Sequence, residues 1–377
     1  MITGVFRNIF RVNLGVRKTE TCLVFTDVPS LHEEIGPFEA ERRSRLKCLA
    51  FLASEVGRGF AKDIVYHEYA ATGSHGAEPP VELWEKAFGK RIVAALERKG
   101  ILGRLLEKRA GAADLDQAAS LIGRWKADAV DTVVALSNFS TSHTRFRNFL
   151  TTICGTRYAS MPLFEVSMVD GAMNVDWRQL AGETKEIALR MGRAETIEVS
   201  TPDGTKMSFS VKGRKAIADT GLMTRKGSFG NLPAGEVFLA PVEGTARGKL
   251  VLLWAPTREL KSPVTLTVRD GYVKDVQGDE EFAEQLRKKL KERYENRNIA
   301  ELGIGTNSMA RRPDNILESE KIRGTVHIAL GDNSSFGGRV YTPFHQDSVF
   351  FRPTVILVDK EGGRITLMKR GRFQGER

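Results

Sequence analysis

The chain has 377 residues, 41% of them hydrophobic and 28% charged, a balance that excludes both a disordered polymer and a small scaffold held by disulfides. At roughly 150 residues per domain, the length predicts two domains with a core each. Its 57 Lys+Arg against 47 Asp+Glu give a formal charge of +10, and no stretch approaches the roughly 18 consecutive apolar residues of a membrane span, so no membrane is expected as a partner.

Residues 1–18 carry Val5, Ile9, Phe10 and Leu14 at helical spacing. Arg7 and Arg11 interrupt that run where a secretion signal needs a continuous apolar core, which predicts an amphipathic first helix and a cytoplasmic protein. A strand over 21–26, a helix over 39–57, a strand over 64–66 and a helix over 80–99 follow. The near-continuous apolar run 129–136, a helix over 143–153, an extended segment 157–161 and a helix over 177–192 complete the first half. This alternation predicts an α/β, Rossmann-like domain over 1–195, with a mostly parallel sheet covered by helices. Cys22, Cys48 and Cys154 stand far apart, without CxxC or zinc-finger spacing, and read as buried thiols of a reduced compartment.

From Thr196 onward hairpins replace helices. Residues 197–200 and 206–210 flank the turn Pro202-Asp203-Gly204, and 264–268 meets 272–273 across Arg269-Asp270-Gly271. These features predict an α+β metal-binding domain over 196–377, built on antiparallel strands, with one long helix over 279–297. Lys288, Lys289, Lys291, Arg293 and Arg297 share that helix with Glu284, Glu292 and Glu295, the mixed-sign pattern of a solvated face. No aromatic-interleaved strand or recognition helix accompanies the positive charge, so nucleic acid is not expected as the main partner.

The residues suited to chemistry gather in the second half. His345 and Asp347 stand two apart, so on a strand both side chains leave the same face, where two donors can share a metal ion. Thr325, His327 and Ala329 share a face of another predicted strand. Glu301 precedes Leu302-Gly303-Ile304-Gly305, and Glu236 follows Pro233-Ala234-Gly235. Both carboxylates lie in apolar, glycine-bounded settings where an unpaired charge is costly, and both call for a cation. Gly303-Ile304-Gly305 lacks the third glycine and the strand–turn–helix setting of a dinucleotide loop. His143, at the start of a predicted helix, reads as a cap or packing contact.

These segments resemble the aminopeptidase T family of two-metal metallopeptidases. The resemblance is carried by 231–238 with Ala240-Pro241, 301–307, Glu320-Lys321-Ile322, Gly324-Thr325-Val326-His327, and His345 with Asp347, in the family's order and approximate spacing. Ser137-Asn138-Phe139-Ser140, Ser142-His143-Thr144 and Ala159-Ser160-Met161-Pro162 extend it into the first half. It implies metal ligands at Glu236, Glu301, His327, His345 and Asp347, a catalytic glutamate at Glu320, and two divalent ions per chain, zinc, cobalt or manganese. It also implies a homodimer that removes N-terminal residues from short peptides. On that scheme the ions bring the pKa of bound water down to about 7, and Glu320 passes its proton to the departing amine. The chain departs from the family at Gln346, where tryptophan is usual, at Arg323 in place of glycine, and at Ser334 in place of tyrosine. Tyr341, nearby in a glycine-rich loop, is the candidate substitute in substrate binding.

Two other functions fit the same residues. A pyridine-diol ring-opening dioxygenase family resembles the same scaffold and uses a single iron near the His-x-Asp pair. A metal-binding protein without turnover is the third reading. Retention of both Glu236 and Glu301, which a one-metal oxygenase does not need, favours the peptidase.

Overall fold

A computed structural model describes residues 2–31 and 33–375; Met1, Glu376 and Arg377, which fall within the predicted first helix and second domain, lie outside that range. The chain forms two compact units, Met1–Asn174 with Gly221–Pro233, and Val175–Thr220 with Ala234–Arg377. A single cut at residue 195 does not reproduce them, because the helix Trp177–Met191 belongs to the second unit and 221–233 returns to the first.

In chain order the strands of the first unit are β1 (Thr21–Val28), β2 (Asp63–Ala70), β3 (Thr132–Ala135) and β4 (Arg157–Ser160). Next come β5 (Thr196–Ser200), β6 (Lys206–Ser210) and β7 (Ile217–Asp219) of the second unit, and β8 (Phe229–Asn231) of the first. The second unit continues with β9 (Glu236–Leu239), β10 (Arg247–Ala255), β11 (Arg258–Arg269), β12 (Tyr272–Gln277) and β13 (Ile299–Gly305). It ends with β14 (Val326–Gly331), β15 (His345–Phe350), β16 (Thr354–Val358), β17 (Arg364–Lys369) and β18 (Arg372–Phe373).

The first unit is α/β. Its sheet has the order β2-β1-β3-β4-β8, and every pairing is parallel. All residues of β3 and β4 are buried, as strands covered on both faces must be. Fully buried Trp84 stacks on Phe88 at 5.0 Å between centroids and meets Phe146 edge-on at 5.5 Å. The predicted helix 80–99 is two helices, Val81–Phe88 and Lys90–Arg98. Gly89 between them has a φ of +86°, and a β-carbon there would stand 3.2 Å from Cβ of Asp128. On the helix Pro37–Gly57, Leu46, Leu49, Ala50 and Ala53 face inward while Cys48 faces outward and is exposed. This corrects the expectation of three buried thiols, since only Cys22 is fully buried and Cys154 is partly so. The short β8 is held at the sheet edge by the ring of Phe229, edge-on to Tyr158 at 6.1 Å.

The second unit is built on antiparallel sheets. One has the order β12-β11-β10-β6-β5-β16-β17-β18, the other β15-β14-β13-β9-β7. The helix Trp177–Met191, expected to close the first domain, instead contributes Ile187 and Met191 to a core with Val199, Phe209, Val237 and Leu302. The predicted helix 279–297 runs over Glu281–Glu292 and ends in a 3₁₀ turn, Tyr294–Arg297. It buries Phe282, Ala283, Leu286 and Leu290 and leaves Lys289 paired with Glu292 at 3.0 Å on its solvated side. No helix among the described residues is long and apolar enough to cross a membrane.

Candidate metal centre

The smaller sheet of the second unit carries every candidate ligand. Glu236 opens β9, Glu301 lies in β13, His327 in β14, and His345 and Asp347 in β15. Residues directly opposite one another in an antiparallel pair project from the same face, and here each candidate faces a small residue. Glu236 lies opposite Gly305, His327 opposite Gly303, and His345 opposite Gly331. Glu301 and Asp347 lie on either side of Ala329. The long polar side chains therefore converge over a floor of glycine and alanine. Gly303-Ile304-Gly305 belongs to that floor, which accounts for the two glycines without any nucleotide.

Two overlapping groups result. One ligand atom each from Glu236, Glu301 and His327 lie within 4.8 Å of one another, and so do atoms of Glu301, His345 and Asp347. His327 Nε2 stands 3.2 Å from Glu236 Oε2 and 3.3 Å from Glu301 Oε1. His345 Nε2 stands 3.5 Å from Glu301 Oε2 and 3.3 Å from Asp347 Oδ2. Glu301 thus belongs to both groups, with one oxygen toward each imidazole. The Nδ1 of His345 donates to the carbonyl of Asp332 at 2.8 Å, which leaves Nε2 as the nitrogen facing the carboxylates.

The protonation pattern follows from crowding of carboxylates. Burial alone would lower the pKa of His327, but its hydrogen bond to Glu301 and the charges of Glu236, Glu301 and Asp347 outweigh burial and push it up to about 9. His345 is likewise pushed up to about 10 against burial, by the charge and hydrogen bond of Asp347 and the charge of Glu301. Burial pushes the Glu236 carboxyl above the usual range despite Lys321 beside it, whereas the charge of His345 holds Asp347 low against its own burial. Glu236 Oε2 and Asp347 Oδ1 are buried and take no hydrogen bond among the described residues. Such oxygens, converging with imidazole nitrogens, fit a first-row divalent cation.

Glu320 caps the short helix Ile316–Ser319, whose start is held by Asn315 accepting from the backbone N–H of Leu317 and Glu318. Its neighbour Lys321 is the residue that sequence reasoning missed. Lys321 is fully buried, and its Nζ donates to Glu236 Oε1 at 2.7 Å and to Glu320 Oε2 at 2.9 Å. Burial would lower its pKa, but Glu236, Glu320 and Asp219 together raise it well above the ordinary lysine value. Its position directly after the candidate catalytic glutamate, in a segment leading to a buried strand, was the available signal.

The other residues that the sequence singles out have the following surroundings. Tyr341 is 75% exposed. Arg323 turns away to Glu183 Oε2 at 2.8 Å and lies over the ring of Phe373 at 5.0 Å. Ser334 donates to Asp332 within its own loop at 2.9 Å. Gln346 alternates with His345 and Asp347 and so projects from the opposite face of β15. His143 is exposed and precedes Thr144, whose hydroxyl caps the helix Arg145–Phe149. An aromatic residue outside the predicted set does approach: Phe336 is edge-on to the His345 ring at 6.0 Å and is backed by Phe238 at 5.6 Å.

The sequence profile of the family described as NicX, 2,5-dihydroxypyridine 5,6-dioxygenase, matches residues 173–374. Among solved structures, the 2,5-dihydroxypyridine dioxygenase of Pseudomonas putida KT2440 is similar with a TM-score of 0.68 and 19% identity, over 100% of this chain and 97% of that one. AmpT from Thermus thermophilus is similar with a TM-score of 0.56 and 16% identity, over 99% and 98%. At these identities both likenesses show the fold alone. No curated protein sequence matches significantly. The expected aminopeptidase T membership is thereby reduced to a shared scaffold, and the profile places the chain elsewhere.

Proposed function

The chain belongs to the 2,5-dihydroxypyridine 5,6-dioxygenase family, and from that membership we propose that it is a mononuclear-iron dioxygenase opening a hydroxylated nitrogen-containing aromatic ring. The observation that carries the reading is the family match over 173–374, which contains both groups of candidate ligands. Glu301, His345 and Asp347 would hold the ion through one imidazole and two carboxylates, a departure from the two-histidine, one-carboxylate triad of non-haem iron oxygenases. Bound ferrous iron supplies the one-electron chemistry that lets dioxygen combine with a closed-shell ring.

The protein's own groups have distinct tasks. The Phe336 ring, supported by Phe238, gives a flat apolar wall beside His345 against which an aromatic ring packs. Glu320, its Oε2 held by Lys321, keeps Oε1 for the proton of a ring hydroxyl and is the general base. Its side chain is 17% exposed, so an entering molecule can reach it.

The test is oxygen consumption by protein loaded anaerobically with Fe²⁺, using 2,5-dihydroxypyridine and its ring isomers. One dioxygen consumed per ring lost supports the reading. Hydrolysis of a peptide panel by zinc-, cobalt- or manganese-loaded protein, with no oxygen uptake by the iron form, overturns it. The peptidase reading keeps one supporting observation, the sharing of Glu301 between two ligand groups.

A further inference from the structure

The connection between β14 and β15, residues 332–344, has a root tied to the strands and a tip with little apolar support. At the root, Asp332 N donates to the Phe344 carbonyl at 2.8 Å, and the Asp332 carbonyl accepts from His345 Nδ1 at 2.8 Å. The tip, Ser334-Ser335-Phe336-Gly337-Gly338-Arg339, has one large apolar side chain, and its paired glycines are conformationally permissive. That one side chain is Phe336, edge-on to the His345 ring at 6.0 Å. The tip folds around Asn333, which is wholly buried. Asn333 Oδ1 accepts from Val340 N at 2.9 Å, and its carbonyl accepts from Gly338 N at 2.9 Å. A β-carbon on Gly338 would stand 1.9 Å from Cγ of Asn333, so the backbone closes directly over that amide.

What fixes the folded tip lies outside it. Glu243 Oε1 accepts from Asn333 Nδ2 at 3.1 Å and from Arg339 N at 2.8 Å. Arg214 donates to the other carboxylate oxygen, Oε2, and also to the carbonyl of Gly337. Both anchors sit on crossovers between the two antiparallel sheets, Arg214 between β6 and β7 and Glu243 between β9 and β10. Each crossover is therefore held by a different sheet at either end, and Val242 N ties the second to the Ser210 carbonyl of β6 at 2.8 Å. Burial would raise the pKa of Glu243, but its own N–H, that of Arg339 and the charge of Arg214 hold it below the usual range, so it is ionised at neutral pH. Neither Arg214 nor Glu243 belongs to the ligand groups.

We infer that Glu243, clamped by Arg214, is a positioning residue for substrate: it holds the 333–340 tip closed and so keeps Phe336 where an entering ring must pack. The task needs a carboxylate, because one oxygen serves two donors of the tip while the other holds Arg214 within reach of Gly337. Removing it releases Asn333, Arg339 and Arg214 together. His345 keeps its orientation without Glu243, since the Asp332 root is tied independently to Phe344. The consequence for substrate rests on the ring-cleavage reading proposed above; the hold on the tip does not.

Two measurements test the hold and its consequence separately. Trypsin, applied to metal-free protein, reads the hold at the bond after Arg339, an exposed residue whose backbone N–H is bound to Glu243. Cleavage there is expected to be roughly tenfold or more faster in Glu243→Ala, and partly restored to the wild-type rate in Glu243→Gln, which keeps an acceptor oxygen. Equal rates in wild type and Glu243→Ala overturn the inference. The consequence is read from steady-state kinetics of Fe²⁺-loaded protein with 2,5-dihydroxypyridine. Glu243→Ala is expected to raise KM roughly two- to tenfold with kcat and metal content unchanged, and Glu243→Ala with Phe336→Ala to be no worse than Phe336→Ala alone. Effects that multiply, or a fall in kcat with KM unchanged, overturn it. Should Glu243→Ala fail to fold, Arg214→Gln, which frees Gly337, takes its place in both measurements. If the wild type turns over no aromatic ring, the ring-cleavage reading falls by itself and proteolysis decides the hold.

Discussion

Gly303 lies directly across from His327 in the β13–β14 pair, and a β-carbon on it would stand 1.9 Å from Nε2 of the imidazole. The ring is fully buried and has no room to retreat. Gly303→Ala is therefore expected to rotate His327 off Glu236 and Glu301, to cost about 1–3 kcal/mol as an overpacked core substitution, and to weaken metal binding on the order of 10–100-fold, as loss of an orienting partner does. Thermal unfolding with and without metal measures both. An alanine variant with wild-type metal affinity would show that the imidazole position does not matter to the centre.

Glu301 and Glu320 separate holding from proton transfer. Glu301→Gln removes the charge shared by His327 and His345, and metal retention is expected to fall at least tenfold. Glu320→Gln is expected to keep the metal and to lower kcat by roughly 10²–10⁴, the range for loss of a general base. Elemental analysis beside kinetics reads the difference. Metal loss in both variants would make Glu320 part of the ligand set.

The metal-free protein should lose stability as pH rises from neutral. His327 and His345 titrate at about 9 and about 10 in the folded chain, against about 6.5 in an unfolded one. Their folded values are raised, so the stabilisation is complete below about 6.5 and fades through the folded pKa values. The same protons compete with a metal ion, so metal affinity should climb over that interval, with proton release on binding. Melting curves of chelator-treated protein from pH 6 to 10, and calorimetry in buffers of different ionisation enthalpy, check the two signs. A melting temperature that rises over this interval contradicts the assignment.

Phe336 meets His345 through ring edges, and such pairs contribute about 0.5–1.5 kcal/mol beyond burial. Phe336→Ala is expected to raise KM for an aromatic substrate roughly two- to tenfold while leaving metal content unchanged. An unaltered KM removes Phe336 from the ring-binding wall.

The period-two geometry of strands made much of this centre legible. His345 and Asp347 stand two apart, and β15 does point both to one face, while the glycine-bounded settings of Glu236 and Glu301 did signal carboxylates that are buried. The alternation Glu301-x-Gly303-x-Gly305 and His327-x-Ala329-x-Gly331 was also present, but its meaning depends on register, which only the paired strands reveal. Lys321 was harder to read for a different reason: a lysine is ordinarily a surface residue, and only the convergence of Glu236 and Glu320 makes its burial tolerable. In the fold, the parallel texture was readable from the alternation of helices and strands, and the antiparallel one from the hairpins about Pro202-Asp203-Gly204 and Arg269-Asp270-Gly271. The return of the three-residue β8 to the first sheet was not, because so short a segment carries no periodicity. The choice between peptidase and dioxygenase could not be read from ligands that both scaffolds can present.

Ala329, fully buried between Glu301 and Asp347, works as a gauge block. Its single methyl sets how closely two negative oxygens are brought across three neighbouring strands, and a branched side chain there would wedge them apart without altering a donor. Transplanting this centre into another antiparallel sheet would accordingly require copying its small residues, Gly303, Gly305, Ala329 and Gly331, as faithfully as the acids and imidazoles packed against them.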